Sequence, residues 1–223
     1  MTEPEWVKST DTWAMLEVTP DRLGTERKLR LFACACCRRI WERLSSPDQN
    51  AVLTAEEFAD GRCGVEELAS AHASLLAFAH TPAQDATRVL VGADAVMGRW
   101  DMARAACWNV ASDLIPDHVI RPIEVADDFH AVLQPYQAGN AVLLREIFGN
   151  PFRPVPLNPS WLTPTAVSLA WQMYDSQGFS AMPVLGDALQ DAGCDSADIL
   201  DHCRGPGPHV RGCWVVDLVL GKE

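Results

Sequence analysis

Apolar residues recur along this chain mainly at three- and four-residue steps, and strict alternation with a period of two is scarce, so the pattern predicts a mainly α-helical protein. The clearest stripe runs over residues 23–44, where Leu29, Phe32, Ala33, Cys36, Cys37, Ile40, Trp41 and Leu44 share one face. Turn chemistry at Ser45-Ser46-Pro47-Asp48 closes it. Further helices are predicted over 47–59, ended by Asp60-Gly61, and over 65–79, ended near Thr81-Pro82. A long helix is predicted over 83–113, apolar on more than one side through Leu90, Val96, Trp100, Ala103 and Cys107, with one break expected near Gly92 or Gly98. Two shorter segments follow, over 124–133 and 137–148.

The pattern then changes. Residues 149–159 hold four prolines, which remove backbone donors and favour extended chain, so this stretch is predicted to be a connector along the surface. Beyond it, helices are predicted over 164–175 behind Thr163, over 183–191, and over 195–202 with Asp195 as the cap. Residues 214–220 fit a helix or a strand equally. The expected organisation is a helical N-terminal bundle (1–148), a Pro-rich connector (149–159) and a smaller helical C-terminal part (160–223) packed on the bundle.

Of the 223 residues, 48% are hydrophobic and 22% charged, the balance of a soluble chain that buries a continuous core; disordered and fibrous classes are excluded. Eighteen Lys+Arg against thirty Asp+Glu give a net charge of −12, which disfavours nucleic acid and anionic lipid as partners. No apolar run approaches the roughly 18–20 residues that span a bilayer, and the acidic start lacks a secretory pattern, so a cytoplasmic protein without a membrane partner is expected. The positive charge is uneven: residues 26–43 carry +4 and the rest of the chain −16. Internal docking of this basic helix is the first expectation. An acidic protein partner bound through Arg27, Lys28, Arg30, Arg38, Arg39 and Arg43 is the second.

Eight cysteines in such a chain are by default buried thiols. Cys34 and Cys37 stand one helical turn apart, a spacing open to a soft metal, and Arg30 and Arg38 flank Cys34 in a way that favours thiolate. Residues 202–213 gather two His and two Cys, which are zinc-compatible ligand types, although His202 and Cys203 are adjacent and no C-x-x-C pair accompanies them. The candidate zinc ligands are therefore Cys194, His202, Cys203, His209 and Cys213, with Cys34 and Cys37. In the same loop Arg204, His209 and Arg211 follow a stretch, 160–203, with six Asp and no Lys or Arg. They form a candidate clamp for a phosphate or carboxylate, or else neutralise those acidic helices. Asp198 and His202, at i,i+4 spacing, are a candidate acid–base pair. No Gly-x-Ser-x-Gly elbow, H-E-x-x-H helix or nucleotide-binding glycine motif is present, and the eight Trp sit at spacings that suit core packing.

The segments EWVKSTDTWAMLE, RKLRLFACACCRRIWERL, LLREIFGNPFRPV and DALQDAGCDSADILDHCRGPGPHVRGCWVVDLVLGKE together resemble a paralogous family of uncharacterised proteins from planctomycete bacteria. The resemblance implies a bacterial, cytoplasmic protein, sometimes a module of longer chains, and carries over no catalytic residue. The reading placed first is a non-enzymatic binding or interaction module. The alternatives are a zinc-type Cys/His metal protein, and a hydrolase or transferase acting on an anionic substrate held by Arg204 and Arg211.

Overall fold

The computed structural model describes residues 1–19, 25–76, 81–91, 102–106, 109–110 and 129–222. Their fold is mainly α, with no strand among the described residues. The helices are α1 (Glu3–Lys8), α2 (Thr12–Val18), α3 (Thr25–Arg38), α4 (Ser46–Ala59), α5 (Val65–Leu75), α6 (Pro82–Val91), α7 (Phe129–Phe148), α8 (Pro164–Ser176), α9 (Met182–Asp191), α10 (Ala197–Arg204) and α11 (Trp214–Leu220). Gly92, Gly98, Cys107 and the segment 124–128 lie outside the described residues.

Local chemistry sets several of these ends. The Asp11 carboxylate accepts from the backbone N–H groups of Trp13 and Ala14 and starts α2. At the start of α4 the Asp48 carboxylate accepts from the Ser45 backbone N–H and hydroxyl. The Thr163 hydroxyl caps α8. Residues 214–220, open between helix and strand in the sequence, are helical.

Two stretches differ from the sequence expectation. The stripe over 23–44 is not one helix: the N–H groups of Arg39 and Ile40 bond to the carbonyls three residues back, at Cys36 and Cys37, which tightens and ends α3. A 3-10 turn, Trp41–Arg43, follows and still leaves Ile40 and Leu44 buried. Conversely, the two segments expected on either side of 134–136 are one helix. Pro135 sits inside α7, where its missing N–H removes one hydrogen bond without ending the helix. Ala141, Leu143, Leu144 and Ile147 are buried on that helix, and burial of each large side chain is worth about 1.5–3 kcal/mol, which outweighs one lost bond.

α3 packs against α4, α6 and α7, and α4 also packs against α5 and α6. These helices enclose one core, with Trp6, Met15, Leu29, Leu31, Phe32, Leu144 and Ile147. A second core lies among α8 to α11 and contains Met173, Tyr174, Leu185, Leu189, Ile199, Val215 and Val216. Between them, residues 149–158 have no regular helix, and the Trp6 indole N–H donates to the Gly149 carbonyl at 3.1 Å, tying α1 to the start of this stretch. The loop from α10 to α11 lies on the bundle. There Gly212, at φ 90°, comes so close to α3 that a Cβ would stand 3.0 Å from Leu31 Cδ1. Only glycine satisfies both that backbone conformation and that approach.

Candidate metal centre

Gly212 is what brings the 205–213 loop against α7, and with it His209 and Cys213. The end of α7 supplies Glu146, whose side chain is 5% exposed. α10 supplies His202. One donor atom from each of Glu146, His202, His209 and Cys213 lies within 4.8 Å of all the others. The closest pairs are His202 Nε2 to Cys213 Sγ at 3.2 Å, His202 Nε2 to Glu146 Oε2 at 3.3 Å, and His209 Nδ1 to Glu146 Oε1 at 3.2 Å. A tetrahedral zinc with ligand bonds of about 2.0–2.3 Å sets its donors about 3.3–3.7 Å apart, so these gaps are close to those of a metal shell.

Protons hold the four groups together as they stand. The Trp214 indole N–H donates to His202 Nδ1 at 3.1 Å. Nδ1 is therefore the acceptor, and the neutral ring carries its proton on Nε2, facing Glu146 and Cys213. His209 turns Nδ1 to Glu146, while its buried Nε2 has no hydrogen-bond partner among the described residues. Burial alone would raise the Glu146 carboxyl, but the hydrogen bonds from His202 and His209 outweigh it and hold the group below the usual carboxylate range. Burial, reinforced by the Glu146 charge, pushes the Cys213 thiol well above its ordinary value.

The other proposed ligands lie elsewhere. Cys203 follows His202 on α10, and neighbouring helix residues point about 100° apart; it faces the second core, where burial and the nearby Cys194 push its thiol up to about 12. Cys194 is in that same core. Cys34 and Cys37 are buried in the first core, with 1% and 0% exposure. The expectation of a Cys34 thiolate is corrected: burial and the Glu56 charge raise the thiol well above its usual value despite Arg30 and Arg38. Asp198 does not orient His202; it pairs with Arg153 at 3.2 Å, and Trp214 orients the imidazole instead.

The candidate anion clamp is also dispersed. Arg204 bonds to Asp187 at 2.7 Å on the surface of the C-terminal helices. His209 belongs to the cluster with Glu146. Arg211, 6% exposed at its side chain, donates from Nε to Asp60 at 2.9 Å and from Nη1 to Glu57 at 2.9 Å. The basic helix turns inward in the same way. Arg27 joins Asp60 at 3.0 Å and Asp217 at 2.7 Å, Arg38 joins Glu56 at 2.8 Å, Arg39 donates to Asn140, and Arg30 donates to the Leu90 carbonyl. The Lys28 charge acts on Asp217. Arg43 lies exposed on the 3-10 turn.

Asp60 is the centre of this arrangement. Its fully buried carboxylate accepts from Arg27, Arg211 and the Tyr174 hydroxyl, the last at 2.6 Å, with Lys222 3.5 Å away. Burial works against the charged form, but Tyr174 and the two guanidinium groups prevail and keep its pKa below the usual range.

Sequence reasoning found three of the four clustered residues and missed Glu146. Its signal was present: a carboxylate on the stripe formed by Leu143, Leu144 and Ile147, a place where charge is costly unless paired. Among the described residues no helix is long and apolar enough to cross a membrane. The chain matches no protein-family model, no curated protein and no solved structure.

Proposed function

We propose that the chain binds one zinc-type divalent cation through Glu146, His202, His209 and Cys213, and that the ion locks the C-terminal helices onto the bundle. The observation that carries this reading is the convergence of one carboxylate, two imidazoles and one thiol, from segments 56 to 67 residues apart, within 4.8 Å. The mixed O, N, N, S set is borderline in softness and suits zinc better than magnesium or calcium. Four protein ligands leave no open coordination position, which is the arrangement of a structural rather than a catalytic zinc. Glu146 and a Cys213 thiolate together neutralise the ion. Loading requires three proton movements: Cys213 releases its proton, the His209 proton moves from Nδ1 to Nε2, unpartnered among the described residues, and the His202 proton moves from Nε2 to Nδ1, so the Trp214 N–H must turn away. A reducing, cytoplasmic setting fits this reading because it keeps Cys213 a thiol.

A docking role for the basic helix is less well supported, since Arg27, Arg30 and Arg38 are engaged inside the molecule.

Elemental analysis of protein purified without a metal-binding tag is the test. About one equivalent of zinc is expected, retained in Cys194→Ser and Cys203→Ser and lost in Cys213→Ser and His209→Ala. Less than about one tenth of an equivalent after growth in zinc-supplemented medium rejects the reading.

A further inference from the structure

A cleft of about 210 Å3 opens beside the centre, with His202 and Trp214 on one wall and Trp6 and Phe148 on the others. Arg145 lines it too. The Arg145 Nη1 donates to the carbonyls of Trp6 at 2.9 Å and Ser9 at 3.0 Å, and lies 3.6 Å from Met15 Sδ. All three are neutral. Among the described residues no carboxylate pairs with Arg145, whereas Arg27, Arg38 and Arg211 each hold a buried acid. Arg153, also at the cleft, is already matched by Glu3 at 3.5 Å and Asp198 at 3.2 Å. Asp198 lines the cleft as well but is turned to Arg153, so Arg145 is the guanidinium there with no acid of its own, set among aromatic walls.

We propose that this cleft binds a small organic carboxylate with an apolar body, whose charge meets Arg145 and whose body lies against Trp6, Phe148 and Trp214. One uncompensated guanidinium suits a monoanion, and aromatic walls give affinity to an apolar body that inorganic phosphate lacks. The cleft site does not rest on the metal reading, because Arg145, Trp6 and Phe148 ligate no metal, although His202 and its hydrogen-bond partner Trp214 also line the cleft.

Benzoate is the probe, titrated into the full chain and followed by tryptophan fluorescence and calorimetry. Saturable binding is expected, with benzyl alcohol at least about tenfold weaker because it lacks the charge. Val7, 56% exposed on α1, lines the cleft and can be changed without touching the core. Val7→Glu is expected to weaken benzoate about five- to tenfold relative to Val7→Gln, by setting a second carboxylate against the ligand. Arg145→Met should abolish the preference for benzoate over benzyl alcohol. If that variant fails to fold, the Val7 pair decides alone. No benzoate binding up to about 50 mM, equal binding of benzyl alcohol, or displacement of benzoate by equimolar phosphate overturns the proposal. Equal benzoate affinity in Val7→Glu and Val7→Gln overturns it as well.

Discussion

His202 shows how much one hydrogen bond decides at the scale of a residue. Its Nδ1 accepts from Trp214, and this favours the tautomer that keeps a proton on Nε2, the nitrogen facing Glu146 and Cys213. In most metal-bound imidazoles the second nitrogen donates, so the indole here would compete with the proposed ion. Removing that competition should help binding. Trp214→Phe is expected to bind zinc about fivefold more tightly, the equivalent of one hydrogen bond of about 1 kcal/mol, as read by competition with a chromogenic chelator. Unchanged or weaker affinity means that the indole does not oppose the metal. This tautomer was not legible in the sequence, because Trp214 reads there as one more core aromatic. His202, His209 and Cys213 were legible because twelve residues contain them. Glu146 left only the trace of a carboxylate on an apolar stripe, and its partners were not legible, because only the tertiary fold carries it across 56 residues to His202.

At the scale of elements, hydrophobic period located most helices and failed where another force acted. α3 ends early because its last N–H groups bond one residue short, which an apolar stripe does not reveal. α7 continues through Pro135 because core burial outweighs one lost hydrogen bond. The loop between α10 and α11 carried a readable signal in its glycines, but the reason for Gly212, close packing on Leu31, is visible only in the fold. Gly212→Ala is therefore expected to destabilise the protein by about 2–4 kcal/mol, combining left-handed strain with overpacking, and to weaken zinc binding by displacing Cys213. Chemical denaturation and metal content measured together check this; a change below about 0.5 kcal/mol shows that the loop is not seated as described.

Across the whole molecule, the surplus of positive charge on α3 is resolved by the C-terminal helices and by α4. Asp60 was read in the sequence only as a helix stop, yet it joins Arg27 of α3, Tyr174 of α8, Arg211 of the loop and Lys222 beyond α11. Its folded pKa is depressed, so its contribution to stability is complete above the unfolded value of about 3.9 and is lost as pH falls through the lower folded value. Asp60→Asn is expected to cost about 3–5 kcal/mol at pH 7 and proportionately less below pH 4, measured as denaturation midpoints across pH. A penalty independent of pH excludes the ionised carboxylate as its source. The same hub also has a history in time. Arg27 and Asp60 leave the ribosome far ahead of Arg211 and Asp217, with partners separated by 151 and 190 residues. At about 5–20 residues per second that is a wait of roughly 8–40 s. During it, Arg27 and Asp60 lack their C-terminal partners, and this flank of the bundle stays uncovered until the last helices are synthesised.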